Sequence, residues 1–130
     1  MLKLKSLIVA EKVIIEKDTN KVTIVDVIEN LKSPSYPLFF PNFSCLLYFE
    51  NDKDNADQNK YKFTLKNNDK LLIDTDVNID FQGKLTTRSL VNINGLAIPA
   101  PGVVTIEISS EGQHIDSYSF NFDQDSKIVS

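Results

Sequence analysis

The sequence has no tryptophan, one cysteine, one histidine, one methionine and only four glycines. Its single cysteine, Cys45, has no intrachain partner, which excludes a disulfide-stabilised extracellular scaffold and favours a reducing compartment. One histidine and one cysteine are too few for a structural zinc site, which typically takes four such ligands. The glycines are scattered singly, so the chain has no glycine-rich loop to hold phosphate.

Basic patches and long apolar runs are also missing. The chain carries 14 basic and 18 acidic residues, and acids dilute its densest lysines, Lys60, Lys62 and Lys66. Nucleic acids and anionic membranes attract cationic surfaces, so the composition argues against both as partners. The apolar run near the N-terminus, residues 7–10, is shorter than the roughly 7–15 residues of a signal peptide, and no stretch reaches the ~18 of a membrane span. We therefore expect a protein without a membrane span that is cytoplasmic or, alternatively, delivered by a route that uses no cleaved signal.

β-Branched residues dominate what is present: 13 Ile, 10 Val and 7 Thr stand against 4 Ala. Such side chains favour strands. Short runs alternate apolar and polar residues, for example at 61–65 and 104–108, and turn residues separate them. No run has a sustained helical period. We predict an all-β fold, a single antiparallel β-sandwich domain of about seven to nine strands over residues 1–130.

The N-terminal third contains a predicted hairpin and a proline-rich segment. Residues 7–15 and 22–28 are β-rich and flank a turn. Pro34, Pro37 and Pro41 follow, and they forbid a regular helix and interrupt a strand ladder. This segment is predicted to be a loop or an extended edge. Its apolar side chains are expected to pack over one end of the core or, alternatively, to form an exposed interaction surface: Tyr36, Leu38, Phe39 and Phe40.

Catalytic groups are sparse. Nucleophilic catalysis needs a base within reach of the nucleophile, and the only Cys–His combination is Cys45 with His114. Cys45 lies inside an apolar run, which favours a buried hydrophobe, and His114 follows a turn, which favours an exposed strand start. The sequence has no G-x-S-x-G motif. We therefore predict no catalytic residues and no enzyme activity.

Calcium binding remains an alternative because it needs only oxygen ligands. The polar loop at residues 50–60 contains Asp52, Asp54 and Asp57. It departs from the calcium-hand pattern, since Ala56 stands where Asp or Asn is expected and no glycine or closing glutamate follows. A solvated acidic loop is the favoured interpretation, with a weak calcium loop as the alternative. No metal or cofactor is predicted.

Five segments resemble an uncharacterised family of small bacterial and phage proteins of unknown function. They are L-I-V-A-E-K-V at 7–13, K-V-T-I-V-D-V-I-E-N at 21–30, Y-P-L-F-F-P at 36–41, G-L-A-I-P-A-P-G at 95–102 and V-V-T-I-E-I at 103–108. The resemblance implies a single immunoglobulin-like β-sandwich. It implies no catalytic residues. The charged 50–60 loop departs from the more compact link typical of that family.

These observations favour a non-enzymatic module for protein–protein interaction or assembly. A chain built mainly of strands leaves sheet edges that pair with another strand. The expected partner is another protein or a second copy of the chain. The alternative function is a sandwich that binds calcium or a small ligand through its acidic end loops.

Overall fold

The computed structural model describes residues 2–50 and 58–125, and these residues form nine strands. In chain order the strands are β1 (Lys3–Ile15), β2 (Val22–Val27), β3 (Leu31–Ser33), β4 (Leu38–Glu50), β5 (Gln58–Asn67), β6 (Lys70–Asp80), β7 (Thr86–Ile98), β8 (Gly102–Ser110) and β9 (Gln113–Gln124). The all-β prediction and the expected number of strands are confirmed.

The strands form two sheets. The first sheet has the order β2-β1-β4-β7, and the second has the order β3-β9-β8-β5-β6 and curls into a half-barrel. Among the described strands every pair is antiparallel except β3 with β9, where Leu31 pairs with Phe122 and Ser33 with Gln124 in a parallel register. The prediction of a wholly antiparallel sandwich is therefore wrong at this pair. A crossover connection is needed when two parallel strands follow each other in the sequence. Strands β3 and β9 come from distant parts of the chain, so no single connection has to join them directly.

The two sheets share one core because alternate side chains of each strand point to the same face. The central strands β4, β5 and β8 contribute fully buried side chains from both sheets, among them Phe49, Phe63 and Ile106. Residues predicted to alternate at 61–65 and 104–108 bury their apolar members as expected. Burial of such side chains is worth about 1.5–3 kcal/mol each, so this core supplies most of the stabilisation.

A second apolar cluster lies on the other face of the first sheet. Leu46 on β4 is fully buried there, under side chains of the β1–β2 hairpin. Asn20 at the hairpin tip accepts hydrogen bonds from the guanidinium of Arg88 on β7 through its carbonyl and side-chain oxygens. Since β1 and β7 flank β4, the hairpin has to cross the sheet to make this contact. We call residues 11–27 the hairpin arm; its apolar contacts on the sheet are Val13, Ile15, Val22 and Ile24.

The proline-rich segment is shorter than predicted, because β4 begins at Leu38 and includes Pro41. Within residues 2–50 and 58–125, this end of β4 pairs with β7 alone, since its pairing with β1 starts at Ser44. Proline is tolerated where a strand has an open side. The β4–β7 register also omits Pro41, passing from the Phe40 pair to the Asn42 pair. The peptide bond between Tyr36 and Pro37 is cis.

Two asparagines in the β5–β6 turn hold the connector between β7 and β8. The buried Asn67 amide donates to the Ala100 carbonyl and accepts from the Ala100 N–H, both at 3.1 Å. Asn68 donates to the Pro101 carbonyl and accepts from the Val103 N–H, both at 2.9 Å. A Cβ on Gly102, which has φ +134°, would overlap the Asn68 amide. This contact requires glycine at position 102.

Candidate functional site

The apolar side chains of the proline-rich segment divide between core and solvent. Phe40 is buried and makes an edge-to-face contact with Phe43, with ring centroids 5.4 Å apart. Leu38 is half-buried and packs against the same core. Phe39 points the other way, is 60% exposed and lies beside Gly95. The exposed apolar surface of this segment is therefore Phe39.

Tyr36 ties the same segment to the last strand. Its hydroxyl donates to the Asp123 carbonyl at 3.0 Å, and its ring packs against the core. Burial, together with the negative charge of Asp123, raises the pKa of Tyr36 above its usual value. A neutral hydroxyl with a fixed acceptor is a structural anchor. The prediction of an interaction surface at Tyr36, Leu38, Phe39 and Phe40 stays a prediction, with Phe39 as its accessible member.

Strand β7 is a long edge strand. Its 13 residues pair with β4 on one side, and no strand among the described residues pairs with its other side. Arg88 is its only charged residue, and the chain carries no charge from residue 89 to residue 106. The N–H and C=O groups along an open edge are unpaired and offer hydrogen bonds to another strand.

Beside β7 the core is partly accessible. Strand β6, the edge of the second sheet, contacts β7, and the Thr87 hydroxyl lies 3.5 Å from the Asp80 carbonyl. Thr75 pairs with the buried Phe63, which places it on the core-facing side of β6, yet it is exposed. The apolar neighbours along the two edges are half-buried and pack against the core. We call this strip the open flank; its members are Ile73, Thr75, Val77, Val91 and Ile93.

An aromatic pair supports the open flank from inside. The rings of Phe49 on β4 and Tyr61 on β5 have centroids 4.8 Å apart. The Tyr61 and Ser89 hydroxyls share a hydrogen bond of 2.7 Å, which links β5 of the second sheet to β7 of the first. Burial raises the pKa of Tyr61 to about 12, although the bond to Ser89 opposes the shift. The side chain therefore stays neutral at physiological pH and acts as a cross-sheet anchor.

The outer face of the second sheet is polar. Lys62 and Asp74 lie 3.7 Å apart, Lys66 and Glu107 lie 3.2 Å apart, and all four side chains are substantially exposed. Exposed ion pairs contribute only about 0–1 kcal/mol, so this face is solvated rather than structural. An open recess of about 930 Å³ lies at one end, lined among others by Lys60, Asp76, Asp80 and Glu111. Acidic and basic groups are mixed there, which gives no selectivity for a ligand of one charge.

The structure separates the two residues of the conceivable Cys–His pair. Cys45 is fully buried in the shared core, on the central strand β4. Burial raises the pKa of its thiol far above the usual range, so the reactive thiolate does not form. His114 is exposed near the start of β9. Their positions match a buried hydrophobe and an exposed strand start.

The candidate calcium ligands Asp52, Asp54 and Asp57 lie outside the described residues, so the calcium loop stays a prediction. Across residues 2–50 and 58–125, no group of three or more His, Cys, Asp or Glu side chains is placed to hold a metal ion. In the same part of the chain, no helix is long and apolar enough to cross a membrane.

Sequence reasoning did not single out β7 or the open flank. A signal exists, because residues 89–106 form an uncharged run of 18 residues. Residues 33–49 are equally uncharged, however, and they include the central strand β4. An uncharged run therefore occurs both in β4, which has a strand on each side, and in β7, which has an open side in the described residues. Only the order of strands in the sheet distinguishes them.

No curated protein matches the sequence. Two crystal structures of a beta-glucosidase from Listeria innocua, one in complex with glucose, align with 95% of this chain at 11% identity and a TM-score of 0.49. The chain spans only 16% of the length of that enzyme, and the likeness carries no inference about activity.

The match to a family model covers most of the strands described above. It extends over residues 5–123, from β1 into the end of β9. The resemblance to a family of unknown function is thereby confirmed. The chain belongs to the family described as "Family of unknown function (DUF6941)".

Proposed function

We propose that this protein is a non-enzymatic interaction module that binds a β-strand of a protein partner along β7. The observation that carries the proposal is the chemistry of this edge. It is 13 residues long, its only charge is Arg88, and its sequence contains no proline. A long, uncharged, exposed edge strand is a template for pairing with another chain.

The other three edges are poor templates by the same criteria. Strand β3 is three residues long and is followed by Pro34. Strand β6 carries charged residues at four of its eleven positions, Lys70, Asp74, Asp76 and Asp80. Strand β2 has only six residues, with Asp26 at a positive φ of 55°. Short strands, charges and irregular backbone all oppose edge pairing.

A strand docked on β7 would make two kinds of contact. Its backbone would satisfy the open N–H and C=O groups, which gives affinity. Its alternate side chains would cover the open flank, where Val91 and Ile93 are half-buried, and this gives specificity. The tip of the hairpin arm contacts Arg88, so the accessible stretch of edge begins at Ser89.

A binding role agrees with the positions of the reactive side chains. The Cys45 thiol is enclosed by the core, and His114 stands on the surface near the start of β9. We place the protein in the cytoplasm, because a buried free thiol fits a reducing compartment. We also propose that residues 1–130 form one domain with an immunoglobulin-like arrangement. Two sheets enclosing one core support this, and superposition of an experimental structure tests it.

Matched lysine variants on the two edges test the proposed function. Asn92→Lys places a charge on the open edge β7, and Asn78→Lys places the same charge on β6. Both residues are exposed, so both variants are expected to fold. Tagged wild-type protein and Asn78→Lys should retain a specific protein partner from native lysate or self-associate in sedimentation, whereas Asn92→Lys should do neither. Partner retention by all three proteins, or a strictly monomeric wild type without a partner, contradicts the proposal.

A further inference from the structure

We propose that the strand bound by β7 is β7 of a second copy of this chain, running antiparallel and centred on Asn92. This inference rests on the proposed function and adds the identity of the partner and the register. The dimer would join two four-stranded sheets into one sheet with β7 at its centre. Such an interface is isologous, so one surface has to be complementary to itself.

The sequence of β7 meets that requirement. In an antiparallel pair centred on Asn92, Asn92 faces its own copy, Val91 faces Ile93 of the other copy and Leu90 faces Asn94. This register keeps core-facing residues opposite core-facing residues. β-Branched cross-strand pairs stabilise a sheet, and opposed Asn amides donate and accept hydrogen bonds. The open flanks of the two copies become adjacent, which covers Val91 and Ile93 in both.

Charge does not oppose the pairing. The only charged residue of β7, Arg88, lies four positions from Asn92. The two Arg88 residues are therefore eight positions apart along the strands, or roughly 26 Å at ~3.3 Å per residue. That separation exceeds the Debye length of about 8 Å at physiological ionic strength, so their repulsion is screened. An equivalent pairing through β6 would bring its aspartates together.

The backbone limits the register on both sides. Gly95 has a positive φ of 76°, and the β4–β7 ladder omits the Pro41–Gly95 position, so regular pairing beyond Asn94 is interrupted. Toward the start of β7, the hairpin arm occupies the region of Arg88. The regular part of the open edge is therefore residues 89–94, and the pairing centred on Asn92 uses positions 90–94 in both copies.

Charge substitutions at the centre test the identity of the partner. Asn92 is exposed and accepts a hydrogen bond of 2.7 Å from Ser44, and Asn92→Asp keeps that acceptor. Two aspartates facing each other should raise the dimer dissociation constant about fivefold in sedimentation equilibrium. Asn92→Lys should also weaken the dimer, and an equimolar mixture of the two variants should associate more tightly than either alone. Asn94→Asp is the control, because its two copies do not face each other.

Cysteine cross-linking tests the register. Facing residues in antiparallel strands have Cα atoms about 4.5–5.5 Å apart, within the range of a disulfide. Asn92→Cys should therefore form a disulfide-linked dimer under mild oxidation. Asn94→Cys, exposed on the same strand, should not, because its two copies lie roughly 13 Å apart. Wild-type protein should stay uncross-linked, since its only thiol, Cys45, is buried.

The outcomes separate this inference from the proposed function. Recovery of association in the mixture, with cross-linking at position 92 and not at 94, supports the two-fold pairing. A wild type that is monomeric at millimolar concentration overturns it, as does equal cross-linking at both positions. If the wild type is monomeric but loses a foreign protein partner upon Asn92→Lys, the second copy is excluded while the proposed function stands.

Discussion

Strands β6 and β7 border the same flank of the molecule and differ in how their open edges are protected. Strand β6 has four charged residues in eleven positions, whereas β7 has one in thirteen. Charges on an edge discourage a second strand because docking would desolvate them. Strand β6 thus carries its own protection against pairing. Strand β7 lacks it, which is why we assign the interaction to β7.

The charges of β6 also have local partners. Asp74 lies 3.7 Å from the Lys62 ammonium and accepts a hydrogen bond of 3.3 Å from Thr64 on β5. Through these contacts the Asp74 carboxylate has polar partners on the solvent-exposed outer face of the second sheet. Strand β7 instead presents Leu90 to the hairpin arm and Val91 to the core. Both faces of β7 are engaged, and no strand in the described part of the chain pairs with its outer edge.

The largest expected effect comes from removing the ring that supports both edges. Phe49→Ala should lower the free energy of unfolding by about 3–5 kcal/mol, because a fully buried ring leaves a cavity against Tyr61. Urea denaturation monitored by circular dichroism measures the loss. If the free energy of unfolding fell by less than ~1 kcal/mol, β6 and β7 would not depend on the Phe49 ring for support.

The turn that starts β6 should give the next largest effect. Asn67→Ala removes both hydrogen bonds to Ala100 and leaves partly buried backbone groups without them. We expect a loss of about 1–3 kcal/mol in the free energy of unfolding. Asn78→Ala, exposed on the neighbouring strand β6, is the control and should change stability by no more than ~0.5 kcal/mol. Equal effects of the two substitutions would contradict this role of Asn67.

The hydrogen bond between Tyr61 on β5 and Ser89 on β7 should contribute to stability, and the buried Tyr61 side chain should make that stability depend on pH. Tyr61→Phe breaks the bond to Ser89 and should cost about 0.5–1.5 kcal/mol at neutral pH. The pKa of Tyr61 is raised to about 12 in the folded protein, against about 10 when unfolded. Because burial is the main cause of this shift, the stabilisation that comes from burying the neutral phenol is fully present below pH 10 and is lost as the pH rises from 10 to 12. Chemical denaturation at several pH values should show a steeper loss for wild-type protein than for Tyr61→Phe. Stability curves that run parallel with pH for the two proteins would contradict a raised pKa of Tyr61 in the folded state.

The smallest effect on stability should come from neutralising β6. Asp74→Asn combined with Asp76→Asn removes an exposed ion pair, so the free energy of unfolding should change by less than ~1 kcal/mol. Association should respond more, because the edge becomes similar to β7 in charge. Light scattering at increasing concentration should show greater self-association than that of wild-type protein. Unchanged scattering would mean that charge is not what protects β6.

Local pattern predicted the strands but not every boundary. The alternation of Tyr61, Phe63 and Leu65 predicted β5, because one-sided burial leaves a period of two in the sequence. The prolines suggested an interrupted segment before β4, yet Pro41 lies within this strand because the neighbouring side is open. Whether a proline meets an open side depends on sheet order, and the order is not a local property.

The candidate site was less predictable than the fold. The predicted hairpin at 7–15 and 22–28 is confirmed, but nothing local showed that it crosses the first sheet and buries Leu46. Likewise, Val91 and Ile93 alternate as any half-buried strand does, and the sequence does not reveal that their strand is the last of its sheet. Long-range contacts decide both features.

Hydrogen exchange on the two edges tests the central claim most directly. The amides of residues 89–94 on β7 and of residues 74–78 on β6 are followed in purified protein from micromolar to near-millimolar concentration. We predict that exchange of the outward-facing β7 amides slows with concentration, while the β6 amides exchange at a constant rate. Exchange of the β7 amides that remains fast at every concentration, or protection that rises on β6 instead, would contradict β7 as the edge that pairs with a second copy.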